Sequence, residues 1–436
     1  MRRYLIVGSG VAGVSAAQTL RRLDPAGEVT MVSYDPFGYY SRPGLAYYLT
    51  NEIGEKQLFP FQEKDWQALK IRRLRAWVSR LHPAEHRLEL SDGASLVYDR
   101  LLLATGSQAL PLGIPGADLE GVVKLDDLAD ARRILNLCKR ARRAIVIGGA
   151  ITALELVEGL RACRLQVTYL LRGSRYWSGV LDETEARLVE RRLAEEGVHI
   201  LPHTELAAFQ GQRGRLTGAV TTTGQHIPCD LAAAAIGIAP RKELAAAAGL
   251  RTERGILVND YLETSAPDIY AAGDVAQIVD PLTGEAALDT LWGPARRSGA
   301  AAAQNMAGEA ARYLKQVPFN VTRLAGLPVT IIGRVGQGAD QDVAGIVRGD
   351  SETWRQLPNA IIVEQSYEVN RLRLLVGERA LVGAVVMGDQ TLSRPIYELV
   401  RGGVDLSSCR EALFSSPRPA EVIGEFWRSW RAQSET

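Results

Sequence analysis

A glycine-rich turn near the N-terminus has the residue types and spacing that bind a diphosphate. Residues 8–13 read Gly-Ser-Gly-Val-Ala-Gly and follow the apolar run 4–7. Gly8 allows a tight turn, Gly10 lets backbone approach a pyrophosphate, and Gly13 lets a helix pack closely on a strand. The helix that follows presents free amides and partial positive charge to phosphates. The motif also occurs as a plain α/β turn, but its place between a strand and a helix predicts dinucleotide binding.

A second turn of the same kind begins at Gly148, and the sequence there reads Gly-Gly-Ala-Ile-Thr-Ala-Leu-Glu. Its first two glycines, Gly148 and Gly149, are kept, whereas Ala153 replaces the third. Alanine at that position still permits close packing of helix on strand. The second turn therefore predicts a second dinucleotide site.

The residues that follow the second strand of each unit bear on which dinucleotide binds. Ser33 stands near the usual place of the ribose-binding acid and Asp35 comes two residues later, so Asp35 is either the ribose ligand or a turn aspartate before Pro36. In the second unit Arg172 and Arg175 stand where a site for NADH usually has an acid. Arginines bind a 2′-phosphate through charge-assisted hydrogen bonds and favour NADPH. The alternative is two solvated arginines in a loop.

The elements around these turns predict the α/β class. Each turn lies within a strand–helix–strand unit, and residues 71–98 alternate like an antiparallel meander. From residue 318 on, strand patterns at 359–364, 371–376 and 381–387 precede helices. The pattern predicts two Rossmann-like nucleotide-binding domains and a C-terminal mixed α+β domain.

Composition excludes several classes of protein. The chain has 436 residues, of which 46% are hydrophobic and 23% charged, as is usual for a globular enzyme. The 51 basic and 50 acidic residues give a net charge of +1, which argues against a generic nucleic-acid binder. No secretory signal is evident and no apolar run approaches the ~20 residues that cross a bilayer. A cytoplasmic location fits best.

The four cysteines are widely spaced, and no CxxC or CxxxxC pattern occurs. This spacing excludes a local redox disulfide, an iron–sulfur cluster held by clustered cysteines, and a zinc ribbon. The histidine pairs 82/86 and 199/203 fall in loops and predict no metal site.

Four blocks resemble, in order, the FAD-dependent pyridine nucleotide-disulfide oxidoreductase superfamily. They are the first glycine turn, Ala-Thr-Gly-Ser at 104–107, the second glycine turn, and Ile-Tyr-Ala-Ala-Gly-Asp at 269–274. Within that superfamily, residues 40–45 are similar to the YxRPxL block of rubredoxin and ferredoxin reductases. They are also similar to the flavoprotein part of the assimilatory nitrite reductase large subunit, which segments 320–326 and 381–389 fit as well.

The resemblance implies a glutathione-reductase-type arrangement with FAD in the first domain and NAD(P)H in a domain inserted into it. We expect a discontinuous FAD-binding domain at 1–115 and 240–317, a NAD(P)H-binding domain at 116–239, and an interface-type domain at 318–436.

The resemblance also implies roles for residues toward FAD. Asp274 would bond the ribityl or pyrophosphate region, Arg42 and Pro43 would line the flavin, and the backbone of Val78 would meet the adenine. The full set implied for FAD is Gly8, Gly10, Val11, Ala12, Gly13, Asp35, Arg42, Pro43, Val78, Ala104, Thr105, Gly106, Gly273, Asp274, Trp292 and Gly293.

Two residues are implied as catalytic. Trp292 would open a helix whose amides stabilise a reduced, anionic flavin ring, and Glu155 would lie near the nicotinamide. Gly237 would lie beside the incoming dinucleotide. The set implied for NAD(P)H is Gly148, Gly149, Ala150, Ile151, Glu155, Arg172, Arg175 and Gly237.

Departures from the family pattern limit the chemistry. Pro43 stands in the block where NADH oxidases and coenzyme A disulfide reductases carry a cysteine, and the CxxxxC of disulfide reductases is missing. The chain also lacks the cysteine cluster that would hold siroheme, so at most it is the electron-input half of a nitrite reductase.

The resulting expectation is an FAD-dependent NAD(P)H oxidoreductase that passes electrons to a ferredoxin, a rubredoxin or a partner subunit. One alternative is an NAD(P)H oxidase or diaphorase that uses oxygen, a quinone or a small acceptor. The other is a flavin-bound redox sensor or assembly subunit. An oligomer is possible, and the sequence does not identify the acceptor.

Overall fold

The computed structural model describes residues 1–281, 284–335 and 370–434, and divides them into two compact units. The first unit comprises residues 1–172 and 198–315, and the second comprises 173–197 with the described residues from 316 on.

Helices and strands alternate along most of the described chain. From the N-terminus they are β1 (Arg3–Val7), α1 (Val11–Leu23), β2 (Glu28–Ser33), α2 (Gly44–Leu49), α3 (Glu63–Leu69), β3 (Arg72–Arg75), β4 (Val78–His82), β5 (Arg87–Leu90), β6 (Ser95–Val97), β7 (Arg100–Leu103), β8 (Ser107–Ala109), β9 (Val122–Lys124), α4 (Leu128–Cys138), β10 (Arg143–Ile147), α5 (Ile151–Ala162) and β11 (Gln166–Leu170). They continue with α6 (Glu183–Glu195), β12 (His199–Leu201), β13 (Leu206–Gln212), β14 (Arg215–Thr221), β15 (His226–Pro228), β16 (Leu231–Ala234), β17 (Ile238–Pro240), α7 (Glu243–Ala247), β18 (Ile256–Leu257), β19 (Ile269–Ala271), β20 (Ala276–Val279), β21 (Ala286–Leu288) and α8 (Trp292–Ala307). The last are β22 (Phe319–Leu324), β23 (Leu327–Gly333), β24 (Arg371–Val376), β25 (Leu381–Met387), α9 (Ser393–Gly402), α10 (Arg410–Ser415) and α11 (Pro419–Ser434).

The first glycine turn joins β1 to α1 in a parallel sheet of order β19-β7-β1-β2-β3. The strands next to the turn are almost fully buried, as in β1 and β7, because helices cover both faces of such a sheet. Helix α1 packs extensively on α8. The predicted βαβ start is confirmed, and α1 begins at Val11, directly after Gly10.

The second glycine turn joins β10 to α5 in a second parallel sheet, of order β12-β11-β10-β16-β9. An antiparallel sheet β13-β14-β15 follows along the chain. The prediction of two strand–glycine-turn–helix–strand units is therefore confirmed.

The predicted meander is present as the antiparallel sheet β4-β5-β6. Its start differs from the prediction, since Arg75 ends β3, which pairs in parallel with β2 instead. An alternating stretch is compatible with either pairing, so the pattern alone did not show where one sheet ended.

The second unit contains the antiparallel sheet β22-β23-β25-β24 and the helices after it. Its core includes Ile332, Ile396 and Ile423, and the aromatic side chains of α11 pack against that core. The C-terminal α+β prediction is confirmed, and the predicted strands 371–376 and 381–387 are β24 and β25. The strand predicted at 359–364 lies outside the described residues.

Helix α6 belongs to this second unit and is held by an ion-pair network around the buried Glu185. Glu185 is fully buried and lies 2.9 Å from the guanidinium of Arg373, while Arg371 lies 2.6 Å from Asp182. Asp182 and Glu185 also form a reciprocal capping box at the start of α6. These contacts tie residues 173–197 to the C-terminal sheet.

Candidate nucleotide-binding site

The three glycines of the first turn have different surroundings. Gly8 has φ +116°, and a methyl carbon added there would lie 2.0 Å from the carbonyl oxygen of Ala104. One added at Gly13 would lie 2.1 Å from the carbonyl oxygen of Gly8, whereas one added at Gly10 would meet nothing within 4 Å. Gly8 and Gly13 are therefore required by packing, and Gly10 leaves an open surface.

The second turn repeats this arrangement. Gly148 has φ +147°, and an added methyl carbon would lie 2.3 Å from the carbonyl oxygen of Ala235 and 2.9 Å from Cβ of Ala153. At Gly149 an added methyl carbon would meet nothing within 4 Å. Ala153 is buried at the third position, so the alanine is accommodated there as predicted.

The helices that begin at these two turns carry no side-chain cap among the described residues, with Gly10 and Ala150 at their N-cap positions. By contrast, α4 and α6 have Asp127 and Asp182 at their N-cap positions, and each of these side chains accepts a backbone N–H at 2.8 Å. Uncapped N–H groups beside an open surface are the donors that bind phosphate at helix N-termini. Both turns therefore fit the diphosphate of a dinucleotide.

The block at 269–274 lies against the first turn. A methyl carbon at Gly273, which has φ +76°, would lie 3.0 Å from Cβ of Ala12, and the N–H of Gly273 donates to Ser298 Oγ at 3.1 Å. The Ser107 hydroxyl donates to the Asp274 carboxylate at 2.6 Å. Residues far apart in sequence are thus brought together next to Ala12, in the first turn of α1.

The block at 104–107 is held in place by Arg241. The Thr105 hydroxyl donates to the Arg241 carbonyl at 2.7 Å, and the Arg241 N–H donates to the Gly106 carbonyl at 2.8 Å. The Ala104 N–H donates to the β1 carbonyl of Val7 at 2.8 Å. This ties the block to the strand that leads into the first turn.

A small cavity brings residues of the two predicted sites together. Its lining residues are Arg42, Pro43, Leu45, Ala46, Leu125, Asp126, Thr152 and Glu155. Arg42 and Pro43 come from the segment expected to line a flavin, and Thr152 and Glu155 come from the N-terminal part of α5. The cavity wall contains no thiol among the described residues.

The guanidinium of Arg42 is fixed by acidic neighbours. It donates to the Asp126 carbonyl at 3.1 Å and lies 4.0 Å from the Asp126 carboxylate and 3.6 Å from that of Asp35. Burial alone would lower the pKa of Arg42, but Tyr40, Asp126 and Asp35 raise it above its ordinary value. The Arg42 side chain therefore stays protonated.

Asp126 and Arg241 are functional candidates that the sequence did not reveal. The Asp126 side chain is 3% exposed and pairs with Arg241 at 2.9 Å and with Lys124 at 3.8 Å. Neither residue lies in a recognisable motif, and their pairing joins positions 115 residues apart. No signal in the sequence would have found them.

Asp35 follows β2 and Val78 follows β3, two neighbouring strands at one edge of the first parallel sheet. Asp35 Oδ1 accepts the N–H of Phe37 at 2.9 Å, as a turn aspartate does. Its other oxygen faces Arg42, so the structure shows the turn role, and the ribose role stays a prediction. Val78 is the first residue of β4 and pairs with Leu90.

Trp292 begins α8, whose N-cap residue Leu291 supplies no side-chain cap among the described residues. Gly293 is buried next to it. Just before the helix, burial raises the pKa of Asp289 to about 6, although Lys315 and Arg297 act in the opposite direction. The helix begins at Trp292, as predicted, and the roles of Trp292 and Gly293 toward the flavin stay predictions.

Arg172, Arg175 and Gly237, which were also predicted for the second site, are not among the residues that line the cavity. Arg172 is exposed directly after Leu171, and Arg175 donates to the Ser178 carbonyl at 3.4 Å. Gly237 has φ +119°, and its carbonyl accepts the N–H of Leu110 at 3.0 Å. The 2′-phosphate role of the arginines stays a prediction.

Two further observations concern the described part of the chain. It holds no group of three or more His, Cys, Asp or Glu side chains arranged to bind a metal ion. No helix within it is both long and apolar enough to cross a membrane.

Comparison with known proteins finds relatives that are named as reductases. The biphenyl dioxygenase system ferredoxin–NAD(+) reductase component of Paraburkholderia xenovorans is 30% identical over 400 residues, covering 88% of this chain and 95% of the relative. The nitrite reductase [NAD(P)H] of Bacillus subtilis is 26% identical over 97% of this chain, which spans 50% of that protein.

Solved structures share the fold. A ferredoxin reductase from Rhodopseudomonas palustris superposes with a TM-score of 0.79 at 23% identity, covering 93% of this chain and 96% of the other. Putidaredoxin reductase in its covalent complex with putidaredoxin gives a TM-score of 0.80 at 22% identity, with 98% and 99% covered.

The family model described as pyridine nucleotide-disulphide oxidoreductase matches residues 2–310, which include both glycine turns and the block at 269–274. The chain belongs to the pyridine nucleotide-disulphide oxidoreductase family.

Proposed function

We propose that the protein is an FAD-dependent NAD(P)H oxidoreductase that passes electrons to a redox-protein acceptor such as a ferredoxin, a rubredoxin or a partner subunit. The cavity that joins Arg42 and Pro43 to Thr152 and Glu155 is the observation that carries this proposal. The names of the relatives, which include ferredoxin–NAD(+) and rubredoxin–NAD(+) reductases, support it.

We assign FAD to the first glycine turn and NAD(P)H to the second. The open surfaces at Gly10 and Gly149 leave room for the two diphosphates, and the uncapped N–H groups of α1 and α5 bind them. FAD, when bound, supplies the chemistry that accepts an electron pair and releases it to a one-electron acceptor. Each site residue implied by the family resemblance is assigned that same role in this proposal.

The residues around the cavity set its charge and leave no thiol among the residues that line it. Arg42, fixed by Asp126 and Asp35, holds positive charge in the cavity wall, and the N–H groups at the start of α8 favour negative charge beside them. Pro43 occupies cavity wall where related enzymes carry a cysteine. Electrons therefore leave for an external acceptor rather than for a thiol beside the flavin.

The proposal also covers the domain bounds and the location of the protein. FAD would be bound by residues 1–115 and 240–317 and NAD(P)H by 116–239, with 318–436 as an interface-type domain. The four free cysteines support a location in the cytoplasm, where thiols stay reduced. A partner subunit or self-association is compatible with such an interface-type domain.

The experiment is anaerobic stopped-flow reduction of the purified protein by NADH and by NADPH in parallel. Reduction of the bound flavin within about 1 s would match the ordinary range of enzyme turnover and would exclude a passive sensor role. Gly149→Ala should slow reduction and keep the flavin, because the added methyl group occupies the space left for the second dinucleotide. A protein that binds no flavin overturns the proposal.

The acceptor is tested by turnover with added ferredoxin or rubredoxin against turnover with oxygen alone. Faster turnover with the iron–sulfur proteins supports the proposal, and faster turnover with oxygen or a quinone supports the oxidase alternative. For NADPH, the double variant Arg172→Ala, Arg175→Ala should lose more rate with NADPH than with NADH. If NADH reduces the wild-type flavin much faster, the assignment of these arginines is wrong.

A further inference from the structure

Asp126, two residues after β9, is an acidic side chain buried among cations. Its carboxylate accepts a hydrogen bond from the guanidinium of Arg241 at 2.9 Å. The guanidinium of Arg42 donates to the Asp126 carbonyl at 3.1 Å and lies 4.0 Å from the Asp126 carboxylate. The ammonium of Lys124 lies 3.8 Å from the same carboxylate. One buried carboxylate therefore faces three cations.

The partners of Asp126 come from both sides of the stretch 116–239 that we assign to NAD(P)H. Arg241 directly follows β17, the strand by which the chain leaves that stretch, and β17 pairs with β8, the strand that precedes it. Arg42 belongs to the segment 40–45 that we assign to the flavin. Asp126 therefore joins the beginning of the NAD(P)H stretch to its exit strand and to the flavin segment.

Neighbouring contacts make the same connection. The Leu128 N–H donates to the Tyr40 hydroxyl at 3.0 Å in a buried contact. At the exposed side, Arg132 of α4 forms a bidentate ion pair with Glu55, at 2.6 and 2.9 Å. Asp126 is the member of this set of acids that lines the cavity with Arg42. Its contacts therefore bear directly on the cavity where the two predicted sites meet.

We propose that Asp126 is a positioning residue for hydride transfer, because it fixes Arg42 and the start of the NAD(P)H stretch in one arrangement at the cavity. This inference rests on the proposed function. Two electrons and one proton pass together as the hydride from NAD(P)H to the flavin, so Asp126 neither gives nor takes a proton. Hydride transfer needs the reacting atoms about 3–3.5 Å apart, and a displacement of about 1 Å costs up to ~100-fold in rate.

The carboxylate of Asp126 also sets the charge of the cavity wall. Its removal makes the surroundings of Arg42 and Arg241 more positive by one unit, which favours a reduced, anionic flavin. The flavin reduction potential should therefore move to a more positive value. That change alone would favour reduction, so slower reduction in the same variant reports on position and not on driving force.

The first test compares Asp126→Asn with the wild type in the purified flavin-bound protein. The limiting rate of anaerobic reduction by NAD(P)H should fall about 10- to 100-fold, while the flavin potential becomes more positive. The concentration of NAD(P)H that gives half the limiting rate should change less than about 3-fold, because Asp126 belongs to neither glycine turn. An unchanged limiting rate, or an unchanged potential, overturns the proposal.

Amide hydrogen exchange of the same protein without NAD(P)H measures the contact itself. The Leu128 N–H should exchange at least about 5-fold faster in Asp126→Asn, because opening of this segment no longer breaks the pair with Arg241. Amides of β14, which is not part of the contact, should exchange at the wild-type rate. Unchanged exchange at Leu128 overturns the proposal.

Asp99→Asn is the matched control, because it also removes a carboxylate paired with an arginine. Asp99 lies 2.6 Å from Arg3, at the edge of the first parallel sheet opposite to the glycine turn. This variant should keep the wild-type limiting rate, flavin potential and exchange at Leu128. If it changes as Asp126→Asn does, the effects are not specific to the cavity and the proposal is wrong.

Arg241→Gln removes the other partner of the pair and keeps the proposal testable if Asp126→Asn does not fold. It should give the same faster exchange at Leu128 and slower reduction, with the potential moved in the opposite direction, and wild-type values would overturn the proposal. A wild-type flavin that neither NADH nor NADPH reduces refutes the proposed function. A wild-type flavin that is reduced, together with an Asp126→Asn variant reduced equally fast, refutes only the positioning role.

Discussion

Exchanging single glycines of the first turn for alanine should separate stability from cofactor binding. At Gly13 the added methyl carbon would lie 2.1 Å from the Gly8 carbonyl oxygen, which is backbone and cannot rotate away. Gly10 has φ −73° and open space, so alanine is accommodated there in the free protein. The two variants carry the same chemical change within the same turn and serve as controls for each other.

The magnitudes follow from these contacts. Overpacking at Gly13 costs up to about 3 kcal/mol, and the better helix propensity of alanine returns about 1 kcal/mol. Gly13→Ala should therefore lower the free energy of unfolding by about 2 kcal/mol, which is roughly a 30-fold change in the folding equilibrium. Gly10→Ala should lower the free energy of unfolding by less than about 1 kcal/mol. The added methyl group meets no neighbour, and the remaining cost is that alanine is a poorer N-cap residue than glycine.

Urea unfolding of the flavin-free proteins measures the change in the free energy of unfolding. Titration with FAD, followed by flavin fluorescence, measures the change in FAD affinity. Gly10→Ala should weaken FAD binding at least ~10-fold, or 1.4 kcal/mol, because its methyl group takes the space where the diphosphate approaches backbone. If Gly10→Ala binds FAD as the wild type does, or is destabilised as much as Gly13→Ala, the assignment of open and packed glycines is refuted.

Three further predictions concern buried charges. Asp126→Asn should lower the free energy of unfolding by about 1–3 kcal/mol in urea titrations at pH 7, because Arg241 loses its 2.9 Å carboxylate partner; unchanged stability would contradict the pairing. Glu185→Ala should cost about 3 kcal/mol, because it leaves Arg373 without its fully buried partner, and a thermal midpoint equal to that of the wild type would exclude this. The pKa of Asp289, raised by burial from 3.8 to about 6, means that the folded protein binds the proton more tightly than the unfolded chain. Stability should accordingly fall as pH rises from about 4 to about 6, and Asp289→Asn should flatten that part of a stability–pH profile, whereas an equal slope in both proteins would contradict the raised pKa.

Features that depend on neighbouring residues were predictable from the sequence. The glycine turns, the strands before them and the helices after them were identified because turn geometry and apolar periodicity are local. Helix α5 begins at Ile151, within the second glycine block, and β24 and β25 match the predicted strands. The strand ends were less exact, as the pairing of β3 with β2 shows, because an alternating pattern does not name its partner strand.

Features made by distant residues were not predictable. The Asp126–Arg241 pair and the cavity wall require the two nucleotide-binding units to be folded and adjacent. The network of Glu185 with Arg373 likewise joins residues 188 positions apart.

The glycine turns show what structure adds to a motif that was already recognised. In the sequence, the motif gives Gly8, Gly10 and Gly13 different roles but does not show the surroundings of any of them. In the fold, two of them are enclosed by backbone within about 2 Å of a missing methyl group and one faces open space. The replacement of the third glycine by Ala153 in the second turn fits this distinction, since its Cβ is accommodated where Gly148 supplies the space. Only the open glycine of each turn reports on a ligand, so the presence of the motif in itself does not separate binding from folding.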